Sequence, residues 1–545
     1  MRYGIALDLG TSGFRCQAIE LDSKKTVATA VTERHPIPGM NVIDHVNYAM
    51  NAGEDVANGL MIGAINNLFT ELAVDKSKIE VIAVCGNPFQ LSLFQNIEIR
   101  DLAYAGKNML KELGVVSPPR DGDVIDAASI GLVGLAPGCK VYIPPAVTHE
   151  IGADAIAMML MSDILKDTEP ALIVDYGTNA EMALVVNGEI YTGSAAAGPA
   201  LEGQEIERGM LAAPGALSEV EIVENGWRCY VLDDTLAAQP GDVIDPFTGK
   251  VVEEGPMHGK AIGITGTGVV AALSCGLKSG VIDTPTIKTE DGLLHLQDGI
   301  DITSHDVEEA GKAIGALRAG FLTLLDAAGL WVDDVQKAYM SGASGLYVDA
   351  KKAQSLGMVT PGARRIIQFG NTSIGMARKI VFGEVSMEDL KVFAQKLKAT
   401  HVMFATSPMF KDLYSIEYSL WCSHMPFSEY NNMLDIYNIK RLPEFPDPSE
   451  VDVKRLVKRD LPDTEECKVH IIKSGTILTG VVEGCIGCKK CMKICPERAI
   501  CIEPEGNAGY RANIESDRCG GTACRRCEAE CPKRVLHTAQ LKVKG

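Results

Sequence analysis

The chain lacks a long hydrophobic run, an excess of positive charge and, over most of its length, any cysteine spacing, and each absence removes a class of function. No apolar stretch in the sequence approaches the roughly 18 residues that a membrane helix needs. Lys and Arg number 52 against 71 Asp and Glu, and the resulting net charge of −19 has the wrong sign for a nucleic-acid partner or an anionic membrane. The opening MRYGIALDLG begins on a strand-like run without a basic leader or cleavage site, so the expected location is the cytoplasm. With 46% apolar and 23% charged residues the composition is ordinary for globular protein, and 545 residues suggest several domains or lobes.

Cysteine is abundant only at one end. Seven of the 16 cysteines (Cys16, Cys85, Cys139, Cys229, Cys275, Cys422, Cys467) are scattered singly, which argues against a disulfide framework and for small buried hydrophobes. Cys501 is expected to behave in the same way. The others form two runs, CIGCKKCMKICP and CGGTACRRCEAECP. The first has C-x2-C-x2-C-x3-C-P spacing, in which three thiolates on one tight loop reach three corners of a cubane and the fourth cysteine serves a second cluster. With that crossover, Cys485, Cys488, Cys491 and Cys531 ligate one [4Fe-4S] cluster, and Cys495, Cys519, Cys524 and Cys527 the other. Two four-cysteine zinc sites are the competing reading, but zinc knuckles seldom carry C-x2-C-x2-C or a terminal proline twice. The segment from Cys485 onward has an excess of basic residues, which two anionic thiolate-ligated clusters would largely cancel.

The other signal is a repeat. Strands GIALDLG, FRCQAIEL and TVATAVTE form two adjacent hairpins, and PALIVDYG, EMALVV and EIYTGS do so again, with Asn187-Gly188 marking a type I′ turn. Asp8-Leu9-Gly10-Thr11-Ser12 matches Asp175-Tyr176-Gly177-Thr178-Asn179. A glycine lets backbone N–H groups close on phosphoryl oxygens, the Thr or Ser hydroxyl adds a donor, and an Asp at the strand end can hold water on Mg²⁺. One such tetrapeptide is ordinary turn chemistry; two, each inside the same strand-turn-strand unit, are harder to dismiss.

The paired hairpins resemble the phosphate-1 and phosphate-2 loops of the ATPase superfamily of acetate and sugar kinases, Hsp70 and actin. HEIGADAIAMMLMSDIL, with Glu150 ahead of a small-residue helix, resembles the first interlobe helix. KAYMSGASG, including Gly342, Ala343, Ser344 and Gly345, resembles the adenosine motif, and GNTSIGMARKIV the second interlobe helix. The segments DYGTNAEMAL, SAAAGPALEG, GITGTGVVAA and ITSHDVEEAGKAIGALRAGFLTLL narrow the resemblance to ATP-dependent activators of corrinoid proteins. The two-cluster tail resembles the RamA-type activators of methylamine methyltransferase systems in methylotrophic methanogens.

This resemblance implies an α/β, two-lobed actin-like (ribonuclease H-like) ATPase with a small C-terminal α+β bacterial-ferredoxin-like domain. The expected parts are a first lobe over 1–150, a second over 151–440, a Pro- and charge-rich linker over 441–478 and a two-cluster domain over 479–545. The implied cofactors are two [4Fe-4S] clusters and ATP with Mg²⁺. The implied partners are a corrinoid protein reduced from Co(II) to Co(I) and a low-potential donor such as a ferredoxin, with neither nucleic acid nor membrane. Asp8 and Asp175 are the expected catalytic pair, with Glu150 ordering the attacking water or the Mg²⁺ shell. Glu181 and Glu202 are weaker candidates. Gly266-Thr267-Gly268 is read either as an anion-binding helix entry or as close packing, and the Trp421–Met425 patch as core. The alternatives are an electron activator of a 2-hydroxyacyl-CoA dehydratase-like enzyme and a small-molecule kinase with a redox-sensing tail, which would make a phosphorylated product without any corrinoid protein.

Overall fold

A computed structural model describes residues 1–544 apart from 104–106, 197–204, 445, 447, 466 and 507–508. The chain divides into two compact units, Met1–Ala157 with Ser373–Lys396 and Leu461–Gly545, and Met158–Thr372 with Leu397–Asp460.

In the first unit, strands β1 (Tyr3–Leu9), β2 (Phe14–Glu20) and β3 (Thr26–Thr32) form the expected antiparallel hairpins. Their apolar residues are almost continuously buried, as strands covered on both faces require. Helices α1 (Val42–Ala52) and α2 (Glu54–Glu71) follow, then β4 (Ile79–Gly86), which runs parallel to β1, and α3 (Pro88–Phe94). Strands β5 (Asp123–Asp126) and β6 (Lys140–Ile143) complete the near side of a seven-stranded sheet ordered Val469–Ile472, β3, β2, β1, β4, β6, β5.

The second unit repeats the plan. Its six-stranded sheet is ordered Asp452–Arg455, Arg365–Gln368, Lys337–Ser341, β7 (Ala171–Tyr176), β8 (Ala180–Val186), β9 (Glu189–Ala195). Asn187 and Gly188 both have positive φ, 51° and 80°, the type I′ geometry expected at the β8–β9 turn. A five-stranded sheet begins at Ala216–Val223. The 25-residue helix Ser304–Ala328, closed at its start by a Thr303/Asp306 capping box, lies against Pro408–Cys422. Trp421 sits in this core, as expected, whereas Ser423 and His424 of the same patch are exposed.

The 441–478 segment does more than span. Asp452–Arg455 adds a parallel edge strand beside Arg365–Gln368, and Val469–Ile472 adds one beside β3. Beyond it, a four-stranded sheet ordered Ile500–Pro504, Tyr510–Glu515, Ile477–Val482, Lys542–Val543 carries the cysteine loops. Here the expectation for the scattered cysteines needs correction: Cys422 and Cys467 are only half-buried, and Cys501 is exposed. It alternates with Ile500 and Ile502, which face the core, so the period of the strand turns it outward. No helix among the described residues is long and apolar enough to cross a membrane.

Between the two long helices Arg318 meets Glu417 at 2.9 Å, Tyr430 donates to the same carboxylate, and all three side chains are buried. Arg318→Met strands a buried charge and should cost about 3–5 kcal/mol of unfolding free energy, whereas the Arg318→Met/Glu417→Leu pair should recover much of it. Denaturant midpoints decide this, and a single variant within 1 kcal/mol of wild type would refute the assignment.

Candidate nucleotide and iron–sulfur sites

The phosphate-1 loop follows β1. Asp8 is buried at the strand end, opposite Cys85 in the parallel register with β4, and its Oδ2 lies 3.4 Å from Arg15 Nη1 on β2. Gly10 leaves no room for a side chain, because a Cβ there would meet the Gly13 carbonyl at 2.9 Å. Asn87, the first residue after β4, donates from Nδ2 to Thr11 Oγ1 at 3.1 Å and caps α3 by accepting the Gln90 N–H. Asn87 is not among the site residues expected from the sequence. Its signal was Gly86-Asn87-Pro88, an N-cap followed by proline directly after a buried strand.

Glu150 lies just ahead of helix Ala153–Leu160, which is shorter than the sequence suggests. A Cβ on Gly152 would come within 2.9 Å of Asn87 Cα, so the Glu150 segment closes onto the residue that holds Thr11. Burial pushes the Glu150 carboxyl up to about 7, where a general base or water-orienting group titrates near neutrality.

In the second unit, Asp175 ends β7 opposite Ser341, whose hydroxyl donates to Asp175 Oδ2 at 2.8 Å. Gly342 follows with φ of +81°, and a Cβ there would meet Asp175 Oδ1 at 2.6 Å, so both conformation and space require glycine. The phosphate-2 loop (Gly177, Thr178, Asn179) and the strand-to-helix turn bearing Gly342, Ala343, Ser344 and Gly345 are thus neighbours. Glu181 is buried on β8 and accepts from Ser194. Glu202 lies outside the described residues. Thr265 caps the helix starting at Gly266, and a Cβ on Gly268 would strike the Leu217 carbonyl at 2.5 Å, which favours the packing role for Gly268.

Cys485, Cys488, Cys491 and Cys531 line one cavity, as the crossover requires. Cys531 sits in a nest of backbone N–H groups: burial opposes the thiolate, but the amides of Val535, Lys533, Leu536 and Arg534 outweigh it and lower the pKa. Cys519 and Cys527 lie near Cys495 and Cys524, close enough for all four charges to interact. Burial first, then the neighbouring thiols, pushes Cys519 up to about 11 and Cys527 to about 12, so these two thiols stay protonated when unligated. Such a donor set suits metal, since binding a cationic iron core compensates the cost of ionising clustered thiols. The Cys519 loop is pinned to the start of α1 and the turn before it: Gly39 N donates to Cys519 O at 2.9 Å and Thr522 Oγ1 to Asp44 Oδ1 at 2.9 Å.

Comparison with known proteins agrees with this geometry. Residues 3–167 match the family described as the RACo middle region, 169–431 the C-terminal ASKHA domain of RACo, and 484–535 a 4Fe-4S dicluster domain. A Methanosarcina barkeri protein named [Co(II) methylated amine-specific corrinoid protein] reductase is 47% identical over 524 residues, covering 96% of each chain. The chain belongs to the family of corrinoid-protein reductive activators. The corrinoid activation enzyme RamQ of Eubacterium limosum is 24% identical over 76% of this chain and 69% of its own. A solved reductive activator for a corrinoid, iron–sulfur protein shares the fold, with a TM-score of 0.61 at 23% identity; it covers 76% of this chain, which spans 66% of its length. The family's fold is the actin-like α/β ATPase, here followed by an iron–sulfur ferredoxin domain.

The raised carboxyl of Glu150 has a consequence for stability. Its unfolded value is 4.5 and its folded value about 7, so the native state binds the extra proton in that window and stability falls as pH rises through it. Glu150→Gln should therefore gain on wild type from pH 4.5 to 7 and hold a constant advantage above. A melting-temperature difference that is flat across the whole range would contradict the burial effect.

Proposed function

We propose that this chain uses ATP to drive reduction of a methylamine-type corrinoid protein from Co(II) to Co(I), the form that accepts methyl groups. The observation that carries the reading is the joining, in one chain 47% identical to a methylated-amine corrinoid reductase, of two Asp-ended phosphate hairpins and two four-cysteine sets. In this reading Gly10, Thr11 and Ser12 hold phosphoryl oxygens, as do Gly177, Thr178 and Asn179 on the other hairpin. Asp8 and Asp175 orient water on Mg²⁺, and the Gly342–Gly345 turn takes base and ribose. Glu150 orients the attacking water; near neutral pH it shifts readily between proton acceptor and donor. Cys485, Cys488, Cys491 and Cys531 hold one [4Fe-4S] cluster, and Cys495, Cys519, Cys524 and Cys527 the second. When bound, the clusters relay single electrons at low potential. The external donor is a low-potential carrier such as a ferredoxin, and each electron it gives converts one Co(II) to Co(I).

Energetically the task is an uphill one-electron step. Each tenfold in its equilibrium constant is about 59 mV, or ~1.4 kcal/mol, so coupling to one phosphoanhydride can overcome several decades.

The test is anaerobic. Iron-loaded protein is mixed with a Co(II) methylamine corrinoid protein and a strong reductant, and the Co(I) absorption band is followed with and without ATP. Co(I) should appear only with ATP, and Asp8→Ala or Asp175→Ala should lose it while keeping full iron content. Normal ATP hydrolysis with no ATP-dependent Co(I) would transfer the reading to an activator of a dehydratase-like enzyme, and undiminished activation in either Asp variant would remove the assigned catalytic pair.

A further inference from the structure

A buried polar chain joins the phosphate-1 loop to the loop bearing Cys519, and neither the ATP site nor the clusters need it locally. It begins at Thr11 Oγ1, held by Asn87, whose other amide atom accepts the Gln90 N–H. Gln90 is fully buried and bonds two histidines: Oε1 to His35 Nε2 at 3.1 Å, and Nε2 to His45 Nδ1 at 3.2 Å. The imidazoles stack with centroids 4.0 Å apart, and Phe14, the first residue after the phosphate-1 loop, sets its ring edge on His35.

The bonds have one consistent polarity. The Ile37 N–H donates to His35 Nδ1, so His35 carries its proton on Nε2 and gives it to Gln90 Oε1. The Gln90 amide hydrogen then points at His45 Nδ1, leaving the His45 proton on Nε2. Burial keeps both rings neutral. Flipping the amide would set donor against donor at His35, so the network is a strut with one arrangement.

Its far end is the cluster loop. His45 and Asp44 are adjacent on α1, packed so tightly on Gly39 that a Cβ there would meet them at 2.9 and 2.6 Å. Gly39 N donates to the Cys519 carbonyl, while Asp44 accepts from Met40 N and from Thr522 Oγ1. Every link is a direct contact within one compact unit. Buried polar groups are expensive unless satisfied, and although the Gln90 and His35 bonds above are made, His45 Nε2 finds no hydrogen-bond partner among the described residues, a cost that a core needing only packing would avoid with apolar side chains.

We propose that Gln90, His35 and His45 are positioning residues that couple nucleotide at the phosphate-1 loop to the cluster held by Cys495, Cys519, Cys524 and Cys527, so that MgATP binding and one-electron reduction of that cluster alter each other's free energy. The inference rests on the nucleotide and cluster assignments above and adds a route between them. Linkage makes the effect reciprocal: the factor by which reduction changes nucleotide affinity equals the factor by which nucleotide changes the reduction equilibrium.

The experiment measures the dissociation constant of a non-hydrolysable MgATP analogue on the iron-loaded full chain, oxidised and dithionite-reduced, and records the EPR spectrum of the reduced chain with and without the analogue. Wild type should show about a tenfold difference in affinity, equivalent to ~59 mV for one electron, and a nucleotide-dependent change in one EPR signal. Gln90→Met keeps the side-chain length and removes both histidine bonds; its two dissociation constants should coincide, with iron content and oxidised-state affinity retained. If Gln90→Met does not fold, Thr522→Val cuts the strut at its cluster end and should lose the difference, and Thr522→Ser should restore it. Equal affinities in wild type alongside ATP-dependent Co(I) formation would overturn this inference and leave the proposed function standing, as would variants that keep the tenfold ratio. A wild-type chain that binds no MgATP analogue would overturn both.

Discussion

Each aspartate near the end of a central strand needs a polar partner beside its carboxylate, and the neighbouring strands supply one. Asp8 has Arg15 on the hairpin partner, and Asp175 has the Ser341 hydroxyl on the parallel neighbour. Both solutions depend on register, since a one-residue slip would turn each carboxylate to the opposite face of its sheet. The adjacent parallel strand then meets a glycine at its end in both units, Gly86 as its last residue in one and Gly342 directly after Ser341 in the other. A Cβ on Gly86 would strike the Leu9 carbonyl at 2.8 Å, much as one on Gly342 would strike Asp175. A short helix follows each glycine, Pro88–Phe94 in one unit and Gly342–Tyr347 in the other. The repeat therefore extends beyond the hairpins to the neighbouring strand, its terminal glycine and the helix entry.

How much of this could be read in the sequence depends on how local its cause is. The hairpins, the Asn187-Gly188 turn and the Asp-x-Gly-Thr pair were legible, because turn chemistry and strand alternation act over a few residues. The cysteine sets were legible because ligation imposes a spacing; the four thiols around one cavity include Cys531, 40 residues from Cys491 in sequence. Asn87 was not legible as part of the phosphate-1 loop, since its bond to Thr11 exists only after β4 pairs with β1. The edge strands at Asp452–Arg455 and Val469–Ile472 were hidden for another reason. They are four residues each in a stretch rich in proline and charge, and pairing with an existing sheet edge overrides weak local preference. Cys501 shows the converse, where strand alternation that was available in the sequence outweighs the general tendency of cysteine to be buried.

The two cysteine sets differ in surroundings in a way that orders them. Cys488 is exposed, and Ile486 beside it is 55% exposed, so the first cavity opens toward solvent. The Cys519 loop instead rests on Gly39, Met40 and Asp44. The first set is thus open to solvent at Cys488, whereas the second set has a loop that packs on the Gly39–Asp44 segment.

That asymmetry bears on why the iron–sulfur domain shares a compact unit with the phosphate-1 hairpin instead of hanging on a tether. The Val469–Ile472 strand extends the same sheet as β1, Arg34 pairs with Glu497, and Ser474 donates to the Arg34 carbonyl. A tether would leave cluster position indifferent to ATP, because a flexible segment absorbs displacement at little cost. A sheet edge, an ion pair and the buried Gln90–histidine strut transmit displacement, because close-packed interiors shift between discrete arrangements and deform little in between. If hydrolysis is to raise the driving force of an electron step, a rigid connection between phosphate loop and cluster loop is the least that the chain must contain.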